Sequence, residues 1–354
     1  MSLTALTLPE MILGVDTGEF GAYEKRMSHY GALNAFVNNT TKLFGADALA
    51  KIRKQPFTRT IKIPLLNKYS ATVLTVRSCT ISPPSISPTL KSLTRIHMAV
   101  DMGVVPDDFE DNYTTPQQAL RHQYIMARKE ILRQLDTVAA ATLDTNKDTV
   151  INSWDANHPL YTRSAGGSYQ LPASKPEDFY INMTTIMDEM DVSGPYFDIA
   201  STIAKADKLR LQYPGGGSAL DTRSLMGEAG IQEFETSNRI ARGTNRTVHY
   251  VGPMGSIGVV NIIDKAYRNA PEIGSAADIA QWEKAGNMSD INLWGRMSDD
   301  LFEGWEWGVL QRVDCVDEKI AYSTKLSADF CFATDFTSDN TTPIKRFEMV
   351  QSPI

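Results

Sequence analysis

The chain is poor in the features that mark a disulfide scaffold, a membrane protein or a nucleic-acid reader. Of its 354 residues only three are cysteine: Cys79, Cys315 and Cys331. They are odd in number, far apart and form no C-x-x-C pair, so neither a disulfide framework nor a zinc ribbon is indicated. Small buried hydrophobes in a reducing compartment account for them. No window reaches the ~18 consecutive apolar residues of a membrane span. The opening MSLTALTLPEMILGVDTGEF lacks the basic start and long apolar run of a secretory signal. Asn-x-Ser/Thr triplets such as Asn39-Thr40-Thr41 are then coincidental. Basic residues, 35 against 42 acidic ones, leave a net charge of −7 and form no stripe, so direct reading of DNA or RNA is not expected. That weak acidity suits a protein that merely tolerates nucleic acid nearby.

Catalytic and cofactor signatures are lacking too. The five histidines, His29, His97, His122, His158 and His249, are scattered, with no H-x-x-x-H or H-E-x-x-H. There is no G-x-S-x-G nucleophile elbow. Gly252, Gly255 and Gly258 recur at intervals of three but lead into strand-like VVNII, which describes a turn between strands and not a dinucleotide fingerprint. The loop PGGGS, 214–218, lacks the Lys-Ser/Thr of a phosphate loop. Asp144, Asn146 and Asp148 match the start of an EF-hand loop, with Asp155 at its twelfth position. Thr149, however, stands where the sharp turn needs glycine, and Asp155 is shorter than the usual bidentate glutamate. An Asn/Asp-rich turn at a helix end explains the run. Asp107-Asp108, Glu110-Asp111 and the stretch from Asp188 to Asp191 sit near helix ends, where solvated or capping carboxylates are ordinary. Trp282, Trp294, Trp305 and Trp307 fall within 26 positions, and core or interface packing accounts for them better than a ligand cage. No catalytic, cofactor-binding or metal residue is nominated, and no enzymatic activity is expected.

What is present is a composition able to build a core, 42% hydrophobic and 22% charged, in a chain longer than one typical domain. The first ~15 residues are apolar without a period, as in an extended arm ordered by contact with something else. Residues 18–54 are expected to be mostly helical, with Gly31 and Gly45 dividing them. Pro56 closes that region. A two-stranded ribbon is then expected from Phe57–Ile63 and Thr72–Ile81, joined by the turn-like PLLNKYSA. Ser82–Pro88, SPPSISP, cannot be a central strand. Ile96, Met98, Val100 and Met102 alternate with His97 and Asp101, a strand with one buried face.

Thr115-Pro116 opens a helix in the favoured order, and Leu120, Tyr124, Ile131, Leu135 and Val138 recur at helical spacing up to Leu143. At ~1.5 Å per residue it would run roughly 40 Å, a strut where the mean helix has only ~11–12 residues. A second amphipathic helix is expected around Phe179–Met190, a buried strand in VSGPYFDIAS and a helix over Thr202–Tyr213. Gly227–Ser237 and His249–Ile263 are strand-rich, and WEWGVLQRV, KIAYSTKL and DFCFATDF close the chain in strands. Ending in strands suggests a return to an earlier sheet, hence a discontinuous domain with another inserted. An isolated hairpin is marginal in water, and each face of the ribbon mixes Ile, Val and Leu with Thr, Lys and Arg. Something outside the ribbon must cover it, and a sister copy is the obvious candidate.

This order of parts resembles the major capsid proteins of tailed bacteriophages, which share the Hong Kong 97-like shell fold. The resemblance is one of layout over nearly the whole chain. It implies an α+β fold with an N-terminal arm at 1–56, an extended β-hairpin loop at 57–91, and a peripheral domain at 92–193 and 305–354. The peripheral domain would carry a spine helix at 115–143, and an axial domain would be inserted at 194–304. Some family members cross-link a loop lysine to a distant asparagine. Lys62 and Lys68 lie in the loop, but nothing identifies a partner and the chemistry is not carried over.

The function so implied is a homo-oligomeric shell protein. It would form pentamers and hexamers that close as an icosahedral head around phage DNA, in the virion, after assembly in the host cytoplasm. It would need no cofactor and no membrane. Separate scaffold, portal and decoration proteins are the further partners implied. The rival readings are an encapsulin-like cellular cargo shell, a hydrolase whose dispersed site leaves no motif, and a tail-tube subunit, against which the long helix argues.

Overall fold

The structure, a computed structural model, describes residues 30–53, 60–66, 88–109, 116–172, 176–192, 194–212, 227, 229–263, 267, 293–298, 302, 304–316, 319–335 and 343–350. Gly45 divides the helical region as expected, and Gly31 opens the described part of it. Helix α1, Gly31–Phe44, begins at one and ends at the other, and α2, Ala46–Arg53, follows. Gly45 adopts φ of 67°, and its N–H closes on the Thr41 carbonyl at 3.0 Å, a left-handed stop that glycine enters without steric cost. Leu33, Phe36 and Ala32 are fully buried.

Strand β1, Thr60–Leu66, pairs antiparallel with β2, Pro88–Thr94, in a register from Thr60 opposite Thr94 to Leu66 opposite Pro88. The strand described opposite β1 is Pro88–Thr94; the Thr72–Ile81 segment expected there from sequence lies outside the described residues. Pro64, Leu65 and Leu66, assigned to the turn, belong to the strand. Proline is admissible here because a two-stranded sheet consists only of edges, and Pro88 is a strand's first residue. Strand β3, Ile96–Val104, continues β2 after Arg95. Its apolar set is more buried than the alternating His97, Ala99, Asp101 and Gly103, the one-faced pattern its sequence calls for.

The long helix α3 runs Pro116–Thr145, 30 residues or ~45 Å. Tyr124, Ala127, Ile131, Leu135, Ala139 and Leu143 are its buried stripe, spaced by three and four as a helix requires. Asn146 stops it, returning both its N–H and its side-chain amide to the Thr142 carbonyl, at 3.0 and 2.8 Å. Then come β4, Thr162–Arg163, β5, Tyr169–Pro172, and helix α4, Pro176–Glu189. Strand β6, Tyr196–Ser201, is buried at every position, followed by α5, Ala204–Gln212, β7, Ile231–Ser237, β8, Thr247–Pro253, and β9, Ile257–Ile262. Strands β10, Leu293–Ser298, β11, Glu306–Val316, β12, Lys319–Thr334, and β13, Lys345–Val350, complete the order. KIAYSTKL and the DFCFAT that follows fall in one strand of 16 residues.

The chain is thus α+β, with two large sheets besides the ribbon. One has the order β4-β5-β13-β8-β6-β7; the other runs β10-β11-β12-β3, with β9 also on β12. Because β11 and β9 both face β12 opposite β3, they lie end to end along one edge. The Asn261 side chain bridges the junction, accepting the Glu306 N–H at 2.8 Å and donating to its carbonyl at 3.1 Å. A side-chain amide here supplies the missing backbone rung. The main core joins α1, α3 and the inner faces of both sheets, with Phe197, Tyr250, Trp305, Trp307 and Phe330 among its buried members. A second core packs α4 against the other face of the six-stranded sheet, and a third sets Leu49 and Ile52 of α2 on Val260, Ile262 and Cys331.

Both sheets draw strands from either side of positions 194 and 304. Strands β5 and β13, from segments assigned to the peripheral domain, flank β8 and β6 in one sheet, while β9 and β10 join β3, β11 and β12 in the other. A sequence boundary drawn at a turn carries no information about which sheet the next strand enters.

Candidate assembly surfaces and buried charge clusters

The β1–β2 ribbon hydrogen-bonds to no third strand among the described residues. Its base is fixed. Leu93 is buried with Leu49 and Ile52 of α2 and with Val260. Two residues on, Arg95 lies 3.5 Å from Asp329, both side chains more than nine-tenths buried, and His97 Nδ1 meets the same carboxylate at 2.7 Å. The base is thus anchored by apolar contact and ionic attraction. Lys62 falls in β1, while Lys68, Trp282 and the PGGGS loop at 214–218 lie outside the described residues.

The EF-hand-like run at the end of α3 is a joint between the helix and the six-stranded sheet. Asp144 meets Lys147 and Arg346, each at 2.7 Å, and accepts from the Tyr250 hydroxyl at 2.8 Å. Burial works against its charge, but Lys147, Tyr250 and Arg346 together hold its carboxyl below the usual range. Buried Asp148 pairs with buried Lys345 and lies 3.8 Å from Arg163, and its N–H donates to the Ile344 carbonyl at 2.8 Å. Asp155 accepts from the Tyr161 hydroxyl at 2.5 Å and from the Asn152 N–H at 2.6 Å, capping a short helical turn. Each carboxylate therefore has a cation, hydroxyl or amide of the protein as partner, and Asp148 and Asp155 share the buried Arg163 guanidinium, 3.8 Å from each. Burial, reinforced by Asp155, pushes the Tyr161 phenol far above its usual value; burial does the same at Tyr169. Sequence alone offers no signal for Lys345, whose partner is 197 residues away.

Among the described histidines His97, His158 and His249 each meet a carboxylate, as a catalytic base would, and His249 is the most buried of the three. Its Nδ1 sits 3.0 Å from both oxygens of Asp198, but the side chains are 1% and 0% exposed. The rings of Phe179 and Tyr180 cover it, with centroids 4.7 and 5.7 Å away. A base that no substrate can touch is a core hydrogen-bond pair. His158 pairs with Glu189 at 2.9 Å and stacks on Tyr161, and His122 is exposed on α3. Trp305 and Trp307 pack with Phe302 and Phe330 in the main core. Gly252 and Gly258 lie in or at strands whose neighbours, Phe197 and Leu43, leave no room for a side chain. The described residues contain no cluster of His, Cys, Asp and Glu suited to a metal ion, and no helix among them is long and apolar enough to cross a membrane.

No family model matches the chain, and a search of curated proteins finds no match. Comparison with solved structures finds similar chains. A structure from Mycobacterium phage Che8 overlaps with a TM-score of 0.45 at 10% identity, covering 87% of this chain and 89% of that one. One described as the capsid of Ralstonia phage GP4 overlaps at 0.43 and 7% identity, with 84% and 85% covered. Another, described as the capsid of Myoviridae phage XM1, gives 0.41, 9%, 84% and 88%.

Proposed function

We propose that this chain is the major capsid protein of a tailed bacteriophage, a structural protein that associates with copies of itself into an icosahedral head around phage DNA. The observation that carries the reading is the β1–β2 ribbon, anchored at Leu93 and Arg95 yet paired with no third strand among the described residues. Two strands alone are marginal in water, so the ribbon calls for cover, and a neighbouring subunit provides it. The 30-residue strut α3 alongside two separate sheets supports the same reading.

In this assembly residues 1–56 are the arm and the ribbon is the extended loop. The sheet of β3 and β9–β12 with α3 forms the peripheral part, and the sheet of β4–β8 and β13 with α4 and α5 the axial part. Pentamers and hexamers are the building units; scaffold, portal and decoration proteins are further partners, and the virion is the location. Apolar surface buried between subunits contributes about 25 cal/mol per Å², and a closed shell repeats each contact over every copy.

The test shortens the ribbon. Residues 65–89 are replaced by Asn-Gly, a turn suited to a two-residue hairpin, which leaves Thr60–Pro64 opposite Leu90–Thr94. Negative-stain microscopy and gel filtration are expected to show shells or capsomers for the natural chain and a folded monomer for the shortened one. Normal shells from the shortened chain, or a monomeric natural chain, would refute the proposal.

A further inference from the structure

Helix α1 is held on the protein by carboxylates that meet neutral donors. Asp136, fully buried on α3, accepts the Leu33 backbone N–H at 3.0 Å on one oxygen and the Ser237 hydroxyl at 2.7 Å on the other. On β7, Glu235 accepts the Asn34 amide at 2.7 Å. Glu233 accepts those of Asn38 and Asn39, at 2.8 and 2.7 Å. The helix comes so close that a Cβ on Gly31 would lie 2.3 Å from the Thr236 carbonyl oxygen. Other ionisable groups stand around this seam. Arg239 follows β7, and Tyr30 precedes α1. Glu130 and Arg133 lie one to two turns earlier on α3, bonded to each other. From α5, Lys208 sits over the Phe234 ring at 4.2 Å and acts on Glu235.

Burial is the largest influence on Asp136 and raises its carboxyl above the usual range, against the opposing hydrogen bonds of Ser237 and the Leu33 N–H. Burial raises Glu235 as well, with the charge of Glu233 adding to it. A carboxyl raised in the folded state stabilises docking fully below its ordinary range, and that contribution is lost as pH climbs through the raised value.

We propose that the docking of α1 onto β7 and α3 is a proton-linked latch, tightened by proton uptake at the seam carboxyls Asp136 and Glu235 and loosened by proton release. Glu235 meets Asn34 through one oxygen, leaving the other to carry a proton, and a protonated Asp136 can donate to the Ser237 hydroxyl oxygen while its carbonyl oxygen keeps the Leu33 N–H. Protonation therefore relieves desolvation without breaking the contacts. The joint at Asp144, eight residues further along α3, has the opposite sign. Its carboxyl is held low by cations, so it contributes above the ordinary carboxylate range and weakens as pH falls through the lowered value. One helix thus carries an acid-tightened attachment at one point and an acid-loosened one at the next. The latch belongs to the single subunit and does not depend on shell formation.

Hydrogen exchange of the full chain read by mass spectrometry, from pH 5 to 8 and corrected for intrinsic exchange, tests it. Protection of residues 31–44 is expected to fall as pH rises, on the order of tenfold over the titration. That of 144–148 should not fall in parallel. Asp136→Asn keeps an acceptor for Leu33 and a donor for Ser237. Together with Glu235→Gln it is expected to flatten the profile at or above the natural chain's low-pH protection. A flat profile in the natural chain would overturn the proposal, as would faster exchange in the double variant at pH 8.

Discussion

Gly31→Ala isolates the close approach of α1 to β7. In an exposed helix the change would stabilise, by roughly 0.5–1 kcal/mol, because alanine loses less backbone entropy on folding. Here the added methyl would lie 2.3, 2.7 and 2.8 Å from the carbonyl oxygen, carbonyl carbon and nitrogen of Thr236. All three are backbone atoms of a hydrogen-bonded strand, so no side chain can swing aside. Helix α1 must shift outward, pulling Leu33 N–H off Asp136 and Phe36 off Phe332, whose rings meet edge-on at 5.2 Å. Overpacking costs about 1–3 kcal/mol, and a buried carboxylate stripped of a donor about 1–3 more, against at most ~1 returned by helix propensity. A net loss of about 1–5 kcal/mol corresponds to a fall in melting temperature of roughly 1–7 °C for a chain of this length. Differential scanning fluorimetry reads the shift, and hydrogen exchange localises it to residues 31–44. A higher melting temperature would refute the steric argument, since only the entropic term would then be acting.

Two further changes probe the joints. Lys345→Met leaves Asp148 buried with the Val150 N–H, the Tyr169 hydroxyl and, for a cation, the more distant Arg163, and is expected to cost about 3–5 kcal/mol in denaturant unfolding, with part regained when Asp148→Asn is added. An additive double variant would show that the pair is not coupled. Asn261→Ala removes the side-chain rung at the β9–β11 junction and strands two polar atoms of Glu306. A loss of about 1–3 kcal/mol is expected, and an unchanged unfolding midpoint would mean that water fills the gap.

Much of the local structure was legible because it is encoded over a few neighbouring residues. Thr115-Pro116 and the three-and-four spacing marked α3, Gly31 and Gly45 bracketed α1, and the turn VSGP leading into YFDIAS marked a buried strand. The ribbon's first strand was legible, while the partner described for it, Pro88–Thr94, was not. Alternation qualifies a segment for pairing without naming its partner, and the prolines at 64 and 88 suggested turns that an all-edge sheet does not require. The buried clusters were not legible at all. Asp136 falls within an amphipathic pattern, and the residues it meets lie about a hundred positions away on either side.

By itself the sequence determined which stretches become helix or strand and that no motif for metal, nucleotide or nucleophile stands among them, since spacing and turn chemistry act at short range. Tertiary structure alone decided that Pro88–Thr94 is the ribbon's other half, that β13 enters between β5 and β8, and that carboxylates resembling a calcium loop face lysine and arginine. Those outcomes depend on which distant surfaces exclude water together, and burial is a property of the assembled fold, not of any one segment.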